Sequence, residues 1–190
     1  MDSNFFSDKV YGITGVAGIG FAIAKQLHER GAKISLADID TKALADAAQQ
    51  LGGEGDRVLT TKVDVSSASE VNAWIDATIQ KFGQLNGAAN MAGAIGKNHG
   101  IKPLIEQDDA EFDLIMRVNV YGTKNCLRAE LKGIRATAGT GSIVNASSVQ
   151  GLQGFALHAA YSSSKHAVTG MTRAVAKEEA PEIRVNAIAP

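Results

Sequence analysis

The amino-acid sequence predicts a doubly wound α/β fold, in which one parallel β-sheet lies between two layers of helices. Two observations support this prediction. Short apolar runs of strand length alternate with longer segments of helical periodicity along the whole chain, without internal repeats or low-complexity linkers. A glycine-rich turn also joins the first run to the first helix, and the second run ends in an acidic residue, as in a nucleotide-binding sheet.

Each element can be placed from its local pattern. Helix 68–82 carries an apolar face at helical spacing, and Ser66 or Ser67 can cap it. Trp74 on this face is more consistent with a core residue than with a binding residue. The predicted strands cover residues 9–14, 33–37, 57–63, 85–91, 142–146 and 184–188. The predicted helices cover residues 19–30, 41–51, 68–82, 108–131 and 158–179.

Composition limits the class of protein. The 190 residues, 45% of them hydrophobic, are enough for one core and one domain over residues 1–190. A formal net charge of −1 gives no positive surface for nucleic acid or anionic membrane, so we expect a small-molecule partner. The single cysteine, Cys126, excludes an intrachain disulfide and suits the core. Without a signal-peptide pattern, a membrane-length apolar run or metal-ligand spacing, we expect a soluble, cytoplasmic protein with no metal site.

The turn from Gly15 to Gly20 is the first candidate binding site. Gly15, Gly18 and Gly20 let a ligand approach the backbone closely. The exposed N–H groups of a helix that begins at Ile19 suit a pyrophosphate. A tight strand-to-helix turn that binds nothing is the alternative, and the acidic residue on the next strand makes it the weaker one.

Asp38 ends the second strand, about twenty residues beyond the glycine turn, where it can accept a hydrogen bond from a ribose 2′-hydroxyl. Its alternative role is the N-cap of helix 41–51, which Asp40 or Thr41 could provide instead. Asp64, after the third strand, is placed to meet the far end of a nucleotide.

The charge at Asp38 predicts NAD rather than NADP as the cofactor. The extra phosphate of NADP would face this carboxylate as a like charge, which weakens NADP binding by roughly ten- to a thousandfold. Lys42 is the only nearby base, and it can pair with Asp38 or Asp46. Uncharged residues occupy the positions where a compensating cation would be expected: Val16, Ala17 and Ile39.

Tyr161 and Lys165 are the strongest catalytic candidates. Residues four apart on helix 158–179 lie on one face. An ammonium beside a phenol lowers the phenol pKa from about 10 toward neutrality, as a general acid/base requires. Ser148, after the fifth strand, could hold a substrate oxygen while the tyrosine moves its proton. Because any exposed helix can carry such a pair without function, the assignment depends on the serine and the glycine turn.

Several short motifs follow one another along the chain. They are Thr14-Gly15-Val16-Ala17-Gly18-Ile19-Gly20, Asp64-Val65, Asn90-Met91-Ala92-Gly93, Asn119, Asn145-Ala146-Ser147-Ser148, Tyr161-Ser162-Ser163-Ser164-Lys165 and Asn186-Ala187-Ile188-Ala189-Pro190. In this order they resemble the short-chain dehydrogenase/reductase family over residues 9–190. The resemblance implies a Rossmann fold and NAD(P)-dependent interconversion of a secondary alcohol and a ketone.

The resemblance also implies roles for single residues. Asn119, Ser148, Tyr161 and Lys165 would form the catalytic group, with Asn119 holding a water that links Lys165 to solvent. Lys165 would also bind the nicotinamide ribose, and the neighbouring Ser147 should face away. The implied cofactor site consists of Gly15, Gly18, Ile19, Gly20, Asp38, Asp64, Val65, Asn90, Ala92, Gly93, Tyr161, Lys165 and Pro190.

Three features depart from the family pattern. The glycine turn has two residues between Gly15 and Gly18 where the family usually has three. Met91 replaces the second asparagine of the fourth-strand motif. The sequence stops at Pro190, before the family's substrate-covering segment, so we expect a domain truncated before the last strand.

Partners and alternative functions complete the expectations. Apolar residues on helices 108–131 and 158–179 predict a homodimer or homotetramer. A family member recruited for a non-redox role, either as a nucleotide-binding sensor or in shaping a reactive intermediate, is one alternative, and a purely structural subunit is another. His99 and His158 are expected to be surface or capping residues rather than ligands.

Overall fold

A computed structural model describes residues 5–190, which form a six-stranded parallel sheet with helices on both faces. The strands are β1 (Val10–Thr14), β2 (Lys33–Asp38), β3 (Val58–Lys62), β4 (Gly87–Asn90), β5 (Gly141–Ala146) and β6 (Ile183–Ile188). They pair in the order β3-β2-β1-β4-β5-β6. The order reverses between β1 and β4, which is where sheets of this kind bind their ligands. The doubly wound fold is therefore confirmed.

The helices are α1 (Ile19–Glu29), α2 (Thr41–Gln50), α3 (Ala68–Phe82), α4 (Asp109–Met116), α5 (Gly122–Ala136) and α6 (Ala159–Glu178). The predicted helical stretch over 108–131 is present, although it contains a π turn and extends further. A π turn, Arg117–Tyr121, separates α4 from α5, and α5 continues to Ala136. A single π turn inside an α-helix leaves the segment helical on both sides, so predicting a helix did not reveal it.

Strand β2 shows how the two helical layers are separated. Ile34 and Leu36 belong to the core that includes residues of α1 and α2. Ser35, between them, accepts a hydrogen bond from the indole nitrogen of Trp74 on α3 at 2.8 Å. Alternate residues of one strand therefore contact opposite layers. Trp74 is completely buried, which confirms its predicted core role.

The second core lies under α3, α5 and α6 and includes Cys126, whose thiol is buried as expected. Complete burial of one large apolar side chain stabilises the fold by about 1.5–3 kcal/mol, so a cluster of this size is a main source of stability. Ala160 and Val168 of α6 are also buried within the chain. This helix therefore presents less apolar surface to a partner subunit than its sequence suggested.

The caps of two helices settle alternatives that the sequence left open. Asp40 caps α2, because its carboxylate accepts hydrogen bonds from the first-turn N–H groups, including that of Lys42 at 2.8 Å. Asp38 consequently has no capping task at the end of β2. Ser67, not Ser66, caps α3.

Residues 1–4 lie outside the described residues, and with them part of the predicted single domain and part of the N-terminal segment. Within residues 5–190, no helix combines the length and apolar character needed to cross a membrane. The same residues contain no group of three or more His, Cys, Asp or Glu side chains that could hold a metal ion.

Candidate active site

Most of the predicted site residues lie along one edge of the sheet. Gly15 follows β1, Asp38 ends β2, Asp64 follows β3, Asn90 ends β4, and Ser148 follows β5. Because all strands are parallel, these carboxyl ends meet at the same edge. Residues that are far apart in the sequence therefore line two adjoining spaces of one cleft. We name these spaces after the predicted roles of their residues: the nucleotide part over β1–β3 and the catalytic part over β4–β6.

The glycines of the turn serve different structural purposes. Gly15 has a φ of +76°, and a Cβ atom there would lie 2.6 Å from the Ala92 nitrogen. A Cβ atom on Gly20 would collide with the Gly15 carbonyl oxygen. Gly18 also has a positive φ, +56°, but a Cβ atom there would meet nothing within 4 Å. The packing of the protein itself thus requires Gly15 and Gly20, whereas Gly18 faces open space at the start of α1.

Asp38 is hydrogen-bonded to the glycine turn. One carboxylate oxygen accepts from the Val16 N–H at 2.8 Å, and the other accepts from the Asp40 N–H at 2.9 Å. A carboxylate has about four acceptor positions, so Asp38 can still accept from a further donor. Lys42 pairs with Asp46 at 2.8 Å, which decides between the two partners that the sequence allowed.

The nucleotide part of the cleft has a volume of about 350 Å³. Asp64 lies beside it, and its carboxylate accepts a hydrogen bond from the Ser66 N–H at 2.9 Å. The Ala92 N–H donates to the Thr14 hydroxyl at 3.3 Å, which joins the loop after β4 to the end of β1. The lining includes Gly15, Ala17, Asp38, Asp64, Val65, Ala92 and Gly93.

Asn90 takes a different place from the other predicted cofactor residues, because its side chain is buried. Its amide nitrogen donates to Glu130 at 2.9 Å and to Asn145 at 3.0 Å. Asn145 lies opposite Asn90 in the pairing of β4 with β5, and its own amide donates to Thr172 of α6 at 3.0 Å. Asn90 therefore supports the end of β4 from within the protein.

Glu130 is a buried acid that the sequence interpretation missed. It is completely buried on α5, and this burial raises its pKa to about 8, against the smaller lowering by the Asn90 hydrogen bond. The sequence contained a pattern that could have predicted this burial. Cys126, Glu130 and Ile134 are spaced four residues apart, which places the acid within an apolar stripe of the helix.

The catalytic part of the cleft, about 240 Å³ in volume, is lined by Ser148, Tyr161, Lys165 and Pro190. Lys165 is almost fully buried, and its ammonium donates to the Ala146 carbonyl oxygen at 2.7 Å. Its nitrogen lies 5.5 Å from the centre of the Tyr161 ring. Burial lowers the pKa of Lys165 to about 8, because water no longer solvates the charge.

The pKa of Tyr161 differs from the expectation. The neighbouring cation was expected to lower it, but burial raises the pKa of this phenol above its ordinary value, and the Ser148 hydroxyl opposes that effect only in part. The reason is geometric. The Lys165 ammonium is directed to the Ala146 carbonyl and lies over the ring, so the loss of solvation decides the direction.

Ser148 and Ser147 point in different directions, as alternation along the strand predicted. The Ser148 hydroxyl donates to the Pro190 carbonyl at 3.2 Å and accepts from the Gln150 N–H at 3.2 Å. To donate to a substrate oxygen, it would have to exchange the Pro190 carbonyl for that oxygen. The Ser147 hydroxyl is turned toward α6 and lies 2.7 Å from the Thr169 hydroxyl.

Asn119 lies in the π turn and is buried. Its side chain accepts from the Ala94 N–H at 2.7 Å and donates to the Ala94 carbonyl at 2.9 Å, so it fixes the loop after β4. A Cβ atom on Gly93 would lie 3.2 Å from the Asn119 oxygen and 3.5 Å from the Lys165 nitrogen. The small residue at Gly93 thus leaves the space beside Asn119 and Lys165 open.

Two histidines that were expected to be surface or capping residues lie beside Tyr161. The rings of His99 and His158 are stacked, with centres 4.0 Å apart, and the His99 ring meets the Tyr161 ring edge to face at 5.1 Å. His158 is the residue before α6 but makes no capping hydrogen bond with its side chain. The spacing of three residues between His158 and Tyr161 was the sequence feature that could have indicated their proximity.

Comparisons with known proteins agree with this geometry. The family model described as short chain dehydrogenase matches residues 9–190. The chain is 55% identical over 185 residues to the short-chain dehydrogenase/reductase ABA4 of Pyricularia oryzae. The aligned region covers 96% of this chain and 68% of that protein. It is 40% identical over 189 residues to levodione reductase of Leifsonia aquatica, which covers 97% of this chain and 69% of that protein.

Solved structures give the same result. The crystal structure of levodione reductase superimposes with a TM-score of 0.90 at 38% identity, over 97% of this chain and 72% of that one. NAD+-bound xylitol dehydrogenase superimposes with a TM-score of 0.89 at 34% identity, over 98% of this chain and 71% of that one. The chain therefore belongs to the short-chain dehydrogenase/reductase family of oxidoreductases, with its nucleotide-binding Rossmann fold.

Proposed function

We propose that this protein interconverts a secondary alcohol and a ketone by hydride transfer with NAD, using Tyr161 as general acid/base. One observation carries the proposal: the Tyr161 phenol, the Lys165 ammonium and the Ser148 hydroxyl line one cleft, which adjoins the glycine turn and Asp38. Proton transfer and nucleotide binding can therefore take place in neighbouring spaces.

The side chains divide the proton chemistry among them. Tyr161 donates its phenolic proton to the carbonyl oxygen during reduction and takes it back during oxidation. Ser148 hydrogen-bonds to the same oxygen, which polarises it. Lys165 carries a buried positive charge that favours the ionised phenol once the proton has left. The nicotinamide cofactor, when bound, supplies or accepts the hydride.

The residues along the nucleotide part of the cleft fit such a cofactor. Gly18 faces open space with its φ of +56°, so a phosphate can approach the backbone at the start of α1. Gly15, Gly20, Ile19 and Asp64 would complete the phosphate and base contacts. Ala92, Gly93 and Val65 would line the path to the nicotinamide, and Pro190 would close it.

The carboxylate of Asp38 supports NAD over NADP. It lies beside the turn and has acceptor capacity for a ribose hydroxyl, whereas a 2′-phosphate would meet it as a like charge. The nearest base, Lys42, is paired with Asp46. A solved neighbour of this chain, xylitol dehydrogenase, is described as NAD+-bound, which agrees with this preference.

The substrate is proposed to be a small molecule with an apolar skeleton. Ile19, Met91 and Ile95 line the catalytic part of the cleft beside the polar catalytic group. One relative is named as a reductase of levodione, and this name supports a carbonyl substrate.

Substitution of Tyr161 by Phe tests the proposal, because it removes the proton donor and little else. We expect turnover of a panel of ketones to fall by about 10²–10⁴-fold, with NADH affinity nearly unchanged. Tyr11→Phe, at a tyrosine of β1 that does not line the cleft, is the matched control. A Tyr161→Phe enzyme with most of its rate would remove the assignment. Wild-type protein that binds NADH but turns over no ketone would favour the non-redox alternative.

A homodimer or homotetramer is proposed, with α4 and the π turn that follows it in the contact. Leu114 is 45% exposed and Tyr121 is 54% exposed, and a partner could cover both. Light scattering at micromolar concentration measures the mass directly, and a monomer would argue against this assembly. A cytoplasmic location is part of the same proposal, and cell fractionation tests it.

A further inference from the structure

The stacked histidines line a small cavity that also includes Tyr161, next to the catalytic part of the cleft. The planes of the His99 and His158 rings are inclined by 21°, and the His99 ring stands at 80° to the Tyr161 ring. An edge-to-face pair at this distance is attractive, because the positive edge of one ring meets the negative face of the other. Tyr161 therefore meets the His99 ring, which is itself stacked on the His158 ring.

Backbone contacts hold the two histidines in place. The Gly100 N–H donates to the Leu157 carbonyl at 3.1 Å, which joins the loop after β4 to the segment before α6. Leu157 has a φ of 68°, in a region that a bulky residue rarely adopts. Such a conformation persists only where surrounding contacts enforce it, and it is most common near functional sites.

The loop that carries His99 is fixed on its other side as well. Glu111 of α4 accepts from the Asn98 N–H at 2.9 Å and from the Asn98 amide at 3.1 Å. The residue directly before His99 is thus bound to a helix through both its backbone and its side chain. The His99 ring is consequently presented to Tyr161 by a rigid segment.

The phenol ring of Tyr161 has two close neighbours, the His99 ring and the Lys165 ammonium. The ammonium is 5.5 Å from the centre of the phenol ring, and the His99 ring centre is 5.1 Å from it. A general acid must stay within hydrogen-bond reach of its substrate oxygen, so the orientation of the phenol matters to the rate. Removing one neighbour would let the phenol ring turn away.

We propose that His99, supported by His158, is a positioning residue for Tyr161. Its aromatic edge fixes the orientation of the phenol, and its bulk keeps water from that side of the ring. The proposal rests on the proposed function, in which Tyr161 transfers the proton. His99 itself exchanges no proton with the substrate.

The direction of the His99 pKa agrees with a role for the neutral ring. Burial and the neighbouring His158 lower the pKa of His99, which favours the neutral ring. Asp108 and Glu111 face the same small cavity from the start of α4, and Tyr161 faces it from α6. A neutral aromatic ring of similar size should therefore replace His99.

The experiment compares His99→Ala, His99→Leu and His99→Phe with the wild type. We expect kcat to fall roughly two- to tenfold in the Ala and Leu variants, as for the loss of one aromatic pair, with NADH affinity unchanged. The Phe variant should recover kcat to within about twofold, because it restores the aromatic edge. His166→Ala, at an exposed histidine on the other side of α6, is the control.

A second readout does not depend on turnover. The absorbance change of phenol ionisation, taken as the difference from a Tyr161→Phe version of each variant, reports the pKa of Tyr161 alone. Since burial raises this pKa, the Ala variant should lower it toward its ordinary value and the Phe variant should not. Unchanged ionisation in the Ala variant would overturn the positioning role even if the protein reduced no ketone.

The kinetic outcomes are equally decisive for a protein that does turn over. An Ala variant with wild-type kcat would overturn the proposal, as would a Phe variant impaired as much as the Leu variant, which would assign the effect to the imidazole nitrogens. If His99→Ala fails to fold, as judged by circular dichroism, the Leu and Phe pair still decides between these outcomes.

Discussion

Different physical effects determine the geometry of one part of the cleft and the charge states of the other. In the nucleotide part, hydrogen bonds set the geometry: Asp38 accepts from the Val16 and Asp40 N–H groups, which fixes the turn. In the catalytic part, burial sets the charge states. It raises the pKa of Tyr161 and lowers that of Lys165 to about 8. The first part depends on backbone geometry, and the second depends on how far charged groups are removed from water.

This difference has a chemical meaning. A phenol with a raised pKa stays protonated, which is the form that donates a proton to a carbonyl oxygen. An ammonium with a lowered pKa is easier to neutralise, whereas a neighbouring phenolate favours its charged form, so the charge matters most once the phenol has lost its proton. Experiments that remove a charge should therefore affect the two parts of the cleft differently.

The largest effect is expected from Lys165→Met, which keeps the length of the side chain but removes its charge. We expect kcat to fall roughly a hundredfold, because the phenolate loses its neighbouring cation, and NADH affinity to weaken as well. The exposed Lys177 on the same helix provides the control Lys177→Met. Should Lys165→Met retain half of its kcat, the catalytic part would not depend on this charge.

The next effect concerns Glu130, the completely buried acid that accepts a hydrogen bond from Asn90. Its pKa is about 8 in the folded protein and ordinarily 4.5, so the folded state keeps a proton that the unfolded state has lost. Below pH 4.5 the contribution of this group to stability is complete. It is lost as the pH rises to about 8, with a slope approaching about 1.4 kcal/mol per pH unit.

Glu130→Gln should remove this dependence, because an amide has no proton to lose and can still accept from Asn90. We expect similar unfolding free energies for the variant and the wild type near pH 5, and a more stable variant near pH 9. Urea unfolding at a series of pH values measures this, with the exposed Glu178→Gln as control. Parallel pH curves for variant and wild type would mean that Glu130 is ionised in the folded protein.

The smallest effect is expected from Asp38→Asn in the nucleotide part. The amide oxygen can still accept from the Val16 N–H, so the turn should stay intact while the charge is lost. We expect the ratio of the NADPH to the NADH dissociation constant to fall by about tenfold, since the like charge is gone. Asp76→Asn, at an exposed position on α3, controls for net charge. A ratio that does not change would mean that Asp38 lies away from the ribose.

Much of the fold followed from local patterns, and the exceptions have a physical cause. Each strand and each cap depends on a few neighbouring residues, so alternation and spacing located the strands and the carboxyl edge correctly. The π turn around Asn119 and the contact of His99 with His158 depend on residues from distant parts of the chain. The direction of the Tyr161 pKa also could not be predicted, because a pattern of four-residue spacing contains no information about burial.

The paired amides of Asn90 and Asn145 have a consequence for how the sheet assembles. Asn145 lies opposite Asn90 across β4 and β5, and the hydrogen bond between the two side chains is 3.0 Å long. A slip of one residue between these strands would turn one amide to the other face of the sheet and leave its partner unpaired in the core, at a cost of about 1–3 kcal/mol. The pair therefore favours the observed register of β4 and β5. In this register the ends of the two strands lie side by side, and so do the starts of the loops that bear Gly93 and Ser148.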